Sequence, residues 1–361
     1  MDCIRTTLLN DEQFLNRLNK KIDDNHIPFS GSIDLTHRCN LRCVHCYLGA
    51  YSSSHPVNDG EMTTEQIRSI LDEITEAGCL FFLITGGEPL FRKDFAEIYK
   101  HAKTNGLIVT VFTNGTLVTE RTLELFREFP PYSVEISLYG ATASTYEKIT
   151  GIKGSYDLCM RGIQLLLENK INVRLKTMLM TVNGHEFFAI ENMAKELGVK
   201  FRFDAALFSR LNGDKKPLSY RVAPEEAVQK EFSDPVRCRD WQEFFMRHKE
   251  SHVEDNLYIC GAGSPNFHID PFGRLQPCIM TNTIRYNLLD GNFLSGWYNI
   301  YEKIRKKKVG QDFPCKGCRK VAFCNYCPAF FFLESGDEHT RSEYLCRLGN
   351  LRHEGLQHSN L

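Results

Sequence analysis

The chain has 361 residues, 42% of them hydrophobic and 25% charged, which fits a folded protein with a sizeable core and excludes a disordered one. Forty-four Lys and Arg against 45 Asp and Glu leave a net charge of −1, which removes the simplest argument for a nucleic-acid partner. The longest apolar run, Cys79-Leu80-Phe81-Phe82-Leu83-Ile84, is too short to span a bilayer, and no export signal opens the chain, so a cytoplasmic protein without a membrane partner is expected.

Residues 1–30 read as an N-terminal extension. Short β-rich runs then fall at 32–35, 80–84, 107–112, 133–138, 171–178 and 200–203. Between them the apolar spacing turns helical. Ile67, Ile70, Leu71 and Ile74 follow i, i+3, i+4, i+7, and so do Phe95, Ile98, Tyr99 and Ala102. Cys159, Gly162, Ile163 and Leu166 continue the series, and Ile190, Met193, Ala194 and Leu197 close it. Thr63, Thr64 and Thr119 supply caps ahead of such helices. Alternating strands and helices predict parallel pairing, hence an α/β sheet or partial barrel over residues 31–205. Residues 206–256 form a bridging region with a helix after Pro224. Residues 257–361 hold a second, cysteine-rich unit.

In such folds chemistry collects at the carboxyl ends of the strands. The distinctive segments all follow strands. Cys39, Cys43 and Cys46 come after the first, Gly86-Gly87-Glu88-Pro89 after the second and Thr113-Asn114-Gly115 after the third, while Ser137 ends the fourth.

Fourteen cysteines are more than packing needs, and in a chain without an export signal they read as metal ligands before disulfides. Cys39-x3-Cys43-x2-Cys46 puts three soft thiolates on one short loop, enough for three corners of a cubane with the fourth iron open. The alternative is a zinc site completed by His37 or His45.

The three-cysteine loop after one strand and the Gly-Gly-Glu-Pro turn after the next resemble the radical S-adenosylmethionine (SAM) enzymes. The match extends through Asp34-Leu35-Thr36 and Tyr47 and spans about residues 30–205. The resemblance implies that Cys39, Cys43 and Cys46 hold a [4Fe–4S] cluster whose open iron takes the amino and carboxylate groups of SAM. It places His45 beside the adenine, and Gly86, Gly87 and Glu88 at the methionyl ammonium. It puts Ser137 at the ribose, with Lys176 or Thr177 also within reach. Two glycines suit such a turn because bare backbone can approach a ligand.

Cys260, Cys278, Cys315, Cys318, Cys324, Cys327 and Cys346 resemble the seven-cysteine SPASM extension of that superfamily, which houses two auxiliary iron–sulfur clusters. The segment from His268 to Cys278 reads as its opening hairpin, turning at Pro271–Gly273. By position, Cys260, Cys278 and Cys327 hold the first auxiliary cluster. Cys315, Cys318, Cys324 and Cys346 hold the second. Two residues separate Cys324 from Cys327 where the pattern has three, and the first cluster lacks an obvious fourth ligand. Cys238, flanked by Arg237 and Arg239, competes as that ligand, as a hydrogen-atom donor, or as an inert thiol. A zinc knuckle is the alternative for the region. Cys79, Cys159 and Phe330-Phe331-Phe332 read as core. Cys3 means little, and Lys306-Lys307-Lys308 ends a helix.

The expected fold is therefore a partial (β/α)6 TIM-type barrel followed by a small α+β SPASM domain. The resemblance implies reductive cleavage of SAM to a 5′-deoxyadenosyl radical that abstracts a C–H hydrogen. It also implies a reductant such as flavodoxin or ferredoxin. A ribosomally made peptide is the expected substrate, with crosslinking, thioether formation or epimerisation as the outcome. Residues 1–30 are too few for a peptide-recognition domain of the usual size, so either a leader needs a separate binding protein or none is used. Alternatives are a small-molecule substrate such as a tetrapyrrole or sugar, sulfatase maturation (opposed by Ile279 after Cys278), and a non-enzymatic iron–sulfur electron carrier.

Overall fold

The computed structural model describes residues 11–49 and 60–358; Cys3 lies outside them. Helix α1 (Asp11–Asp24) precedes β1 (Ser30–Asp34), and then α2 (Thr64–Glu76), β2 (Phe81–Thr85), α3 (Phe95–Thr104), β3 (Ile108–Thr113), α4 (Glu120–Glu128) and β4 (Ser133–Ser137) alternate. The series continues with α5 (Ala143–Thr150), α6 (Ser155–Glu168), β5 (Val173–Met178), α7 (Phe187–Glu196) and β6 (Lys200–Asp204). Local chemistry sets these limits. The Gln66 amide N–H donates to the Thr63 hydroxyl (3.3 Å) while the Gln66 side chain accepts from the Thr63 N–H (2.9 Å), a reciprocal cap that starts α2. Ile67, Ile70, Leu71 and Ile74 of that helix are buried, each stabilising the fold by roughly 1.5–3 kcal/mol.

Strands β1 to β6 pair in parallel in sequence order. Period-two alternation sorts their side chains. Ile33, Ile84, Val109, Val111, Val134, Ile136 and Leu175 are buried in the main core. The alternate row, including Ser32, Thr85, Phe112, Ser137, Lys176, Arg202 and Asp204, lines a cavity inside the curved sheet.

The bridging region contains α8 (Pro224–Glu231) and α9 (Pro235–His248); only the first is evident from the apolar pattern. Beyond it come β7 (Asn266–Ile269), β8 (Arg274–Gln276), β9 (Tyr286–Asn287), α10 (Phe293–Lys306), α11 (Pro328–Ser335) and α12 (Glu343–His358). The hairpin forms where expected: Asp270 accepts from the Phe272 and Arg274 amides, and β7 and β8 pair antiparallel. It does not stand apart from the barrel. β7 pairs in parallel with β1, so the sheet runs β6-β5-β4-β3-β2-β1-β7-β8-β9.

The last helix is pinned to the bridging region by charge. Arg352 of α12 and Glu231 of α8, both buried, form a two-armed pair at 2.6 and 2.8 Å, and Arg352 also donates to the Phe323 carbonyl at 2.8 Å. Cys79, Cys159, Phe330 and Phe331 are core residues. Lys306 ends α10, Lys307 pairs with Glu338 and Lys308 donates to Asn256 at 2.5 Å. Among the described residues no helix is long and apolar enough to cross a membrane.

Candidate active site

The cavity measures about 620 Å³ and opens among the carboxyl ends of the barrel strands. Cys39, Cys43, His45 and Cys46 line one wall, Gly86 and Gly87 the next, and Ser137, Lys176 and Thr177 the far side. The hairpin side is closed by Phe267, Pro277, Cys278 and Ile279, so the second unit contributes wall to the same cavity.

The cysteine loop is held from three directions. The Arg42 and Val44 amides donate to the Thr150 and Ile149 carbonyls at 2.8 and 3.0 Å. The Gly87 amide donates to the Thr36 carbonyl at 2.8 Å, and the Glu88 amide to the Arg38 carbonyl at 2.9 Å. Asn114 donates to Asn40 at 2.9 Å and reaches the Cys39 sulfur at 3.8 Å. The Thr113-Asn114-Gly115 turn is thus a latch on the loop, a role its sequence position alone did not assign.

The glycines owe their identity to the same packing. Gly86 has φ +127°, outside the range of other residues, and a Cβ there would press into the Thr36 carbonyl. A Cβ at Gly87 would press into the Arg38 carbonyl and come within 2.7 Å of the His37 oxygen. Both positions border the cavity, but what excludes a side chain is the cysteine loop rather than a ligand. Glu88 departs from its expected place as well. Its carboxylate does not line the cavity; it is buried and accepts from the Thr113 hydroxyl (2.8 Å), the Asn114 amide (2.7 Å) and the Leu90 amide (3.0 Å). Glu88 is a positioning residue for the latch. Burial raises its carboxyl to about 7 against those hydrogen bonds.

Burial also pushes the Cys39 thiol up to about 12, with Glu88 adding to it, and raises Cys43 and Cys46. Metal binding at this loop would therefore release protons. His45 is half-buried, edge-on to Tyr139, its ring pushed down to about 4 by desolvation, and its buried Nδ1 has no hydrogen-bond partner. An orphaned buried nitrogen at a cavity wall fits a ligand that supplies a donor or a ring. Among the described residues, no three His, Cys, Asp or Glu side chains converge as the ligands of one ion would. Three half-buried thiols along one cavity wall fit the perimeter of a multi-iron cluster instead.

The remaining cysteines fall into two groups. Cys260 and Cys278 both add to the raising of the Cys327 thiol, and Cys260 adds to that of Cys278. Cys318 and Cys346 add to the raising of Cys315, and the same two with Cys315 add to that of Cys324. Burial raises Cys327 and Cys324 to about 12 and Cys315 to about 11. Cys327 caps α11, its sulfur accepting from the Phe330 amide at 3.4 Å, and the Thr281 hydroxyl lies 3.0 Å from the Cys278 sulfur. Cys238 joins neither group and does not line the cavity; it lies on α9, which packs against α12. Among the described residues every cysteine is a free thiol.

Comparison with known proteins agrees with this geometry. Residues 33–197 match the radical SAM superfamily. The chain carries a radical SAM domain. It is 27% identical to an AdoMet-dependent heme synthase of Methanosarcina barkeri over 84% of this chain and 92% of that protein. It is 28% identical to the antilisterial bacteriocin subtilosin biosynthesis protein AlbA of Bacillus subtilis over 70% of this chain and 55% of that one. Among solved structures, Streptococcus suis SuiB bound to S-adenosylmethionine superposes over 96% of this chain and 83% of that chain with TM-score 0.69 at 17% identity, a likeness of fold. The partial barrel is thereby established, residues 33–197 form its radical SAM domain, and the chain is an enzyme.

Proposed function

We propose that this radical SAM enzyme holds its SAM-binding [4Fe–4S] cluster on Cys39, Cys43 and Cys46, and two auxiliary clusters on the seven carboxyl-terminal cysteines in a SPASM domain. The observation that carries the reading is a single cavity bordered by the three-cysteine loop, the Gly86-Gly87 turn and Cys278. When bound, the cluster with SAM supplies reductive SAM cleavage and removal of an unactivated hydrogen. The protein's own residues do the rest. His45 and Tyr139 form an aromatic corner for the adenine, and Ser137 lies within reach of the ribose. Glu88, through Asn114, fixes the loop that carries the thiols, and the enclosing walls exclude water from a reactive intermediate.

The substrate in this reading is a ribosomally made peptide, with an electron donor of the flavodoxin or ferredoxin type. The match to AlbA and the 29% identity to the mycofactocin maturase MftC of Mycobacterium tuberculosis, over 82% of this chain and 77% of that one, support it. A second reading, a tetrapyrrole substrate, is supported by the heme synthase, whose match spans more of both chains. Cys260, Cys278 and Cys327 leave the first auxiliary cluster one ligand short, and Cys278 faces the cavity, so that position suits a substrate atom or an exogenous ligand. The inert reading of Cys238 is the one its placement supports.

The test is anaerobic reconstitution, with iron and sulfide counted against protein. SAM turnover is then compared with candidate peptides and with a carboxylated tetrapyrrole. Deuterium passing from labelled peptide into 5′-deoxyadenosine supports the first reading, and transfer from the tetrapyrrole alone replaces it with the second.

A further inference from the structure

The inner row of the barrel carries more positive charge than the cluster reading uses. Ser137, Lys176 and Arg202 are register partners across β4, β5 and β6, and Lys176 and Arg202 line the cavity. Both cations gather on one ring, the Lys176 ammonium 3.0 Å and the Arg202 guanidinium 5.5 Å from the centroid of Phe112. Buried Glu135 accepts from Arg202 at 2.7 and 3.1 Å. Glu135 is held by Arg202, and among the described residues no hydrogen bond or ion pair to a carboxylate holds Lys176, which lies on an aromatic face. Desolvation first and Arg202 second push the Lys176 amine well below its ordinary range, against Glu135 and Glu88. An enclosed amine beside a guanidinium is a poor arrangement until an anion joins it.

We propose that Lys176 and Arg202 form an anion-reading pair for a carboxylate carried by the substrate. This inference rests on the reading of the cavity as a SAM and substrate site. The methionyl carboxylate of SAM belongs at the three-cysteine loop and Gly86-Gly87, at the ends of β1 and β2. β5 and β6 lie three and four strands beyond β2 in the sheet order. A second carboxylate, on the molecule that shares the cavity with SAM, suits this end. An aliphatic carboxylate is the shared chemistry, whether it is an acidic side chain, a peptide carboxyl terminus or a propionate-type arm. It would close on Lys176 and Arg202 above the Phe112 ring and set which carbon of the substrate faces the cofactor. Substrates lacking the group would leave the amine unpaired, so the pair acts as a selectivity filter.

The probe is propionate, with propionamide as its uncharged match, titrated into reconstituted, SAM-loaded protein and followed by ligand-detected NMR. SAM affinity is measured separately by calorimetry. Propionate should bind at least tenfold more tightly than propionamide. Lys176→Met should weaken propionate by about ten- to a hundredfold, the range for a hydrogen bond to a charged group, and leave SAM affinity within about twofold. Lys176→Arg should retain propionate binding, and the wild-type comparison of the two probes stands even if the methionine variant folds poorly. Equal binding of both probes to wild type overturns the inference. So does a parallel loss of SAM and propionate affinity in Lys176→Met, which would give the pair to the methionyl carboxylate. Normal SAM binding with no carboxylate preference sinks this inference alone, whereas a reconstituted wild type that binds no SAM sinks the cavity reading beneath it.

Discussion

Replacing Gly87 with alanine probes how the site is built, because that glycine is required by contact and not by dihedral angle. Its φ lies outside the left-handed range, so alanine meets no backbone strain of its own. The added Cβ would nevertheless press into the Arg38 carbonyl and sit within 2.7 Å of Arg38 C and His37 O, all backbone atoms of the cysteine loop. Neither side can yield by rotating a side chain. The loop must move, and two backbone hydrogen bonds, Gly87 to Thr36 at 2.8 Å and Glu88 to Arg38 at 2.9 Å, stretch with it. Overpacking of this kind costs about 1–3 kcal/mol and two weakened hydrogen bonds about 1 kcal/mol each, so the expected loss is about 3–5 kcal/mol. Gly310→Ala is the control, since its Cβ would meet nothing within 4 Å. Urea unfolding of both variants and iron content after reconstitution provide the assay. Gly87→Ala should shift the midpoint strongly and lose iron in proportion to the three-cysteine site, while Gly310→Ala changes neither. A Gly87→Ala protein within about 0.5 kcal/mol of wild type, with full iron, would refute the reasoning.

Asn114→Ala removes the donor to Asn40 and Cys39; it should cost about 1–2 kcal/mol and slow 5′-deoxyadenosine formation more than it weakens SAM binding, which single-turnover assays separate. Asp94 is raised by burial but lowered further, to about 2, by hydrogen bonds from Arg92 (2.6 and 2.9 Å) and Thr64 (2.6 Å). Its contribution is full above the ordinary carboxylate range near 3.8 and is lost as pH falls through about 2. Asp94→Asn should therefore cost about 1–2 kcal/mol at neutral pH, after discounting for its partial exposure, and that cost should shrink in acid melts below pH 4. Cys238→Ala should leave the cluster spectra and SAM cleavage at wild-type level; altered auxiliary-cluster spectra would return it to the ligand set.

Much of the site was legible in the chain because it is local. The Cys39, Cys43 and Cys46 spacing, the Gly86-Gly87 turn and Ser137 each follow a strand whose alternation is visible in sequence, and parallel order brings strand ends together without further information. The grouping of the carboxyl-terminal cysteines rests on positional resemblance alone. What escaped depends on long-range packing. β7 is four residues long, and nothing within it announces that β1 will be its partner. The Glu88 carboxylate turns toward Asn114, in the turn just past β3, a strand that lies beside β2 only in the folded sheet. The crowding of Lys176 and Arg202 on Phe112 arises because three separate strands point alternate residues inward. α9 is a different case: none of its residues is fully buried, and its aromatic residues Phe244 and Phe245 meet Phe323, a partner far along the chain.

The central claim is that SAM is cleaved at the Cys39, Cys43 and Cys46 cluster while two further clusters reside on the carboxyl-terminal cysteines. Its most direct test is the combined Cys39/Cys43/Cys46→Ala variant, reconstituted anaerobically and assayed with dithionite and SAM. The account predicts a folded protein that retains iron and sulfide for two of the three clusters and forms no 5′-deoxyadenosine. Continued 5′-deoxyadenosine formation by this variant, or a wild-type protein that loads zinc and shows no iron-dependent absorbance, would contradict it.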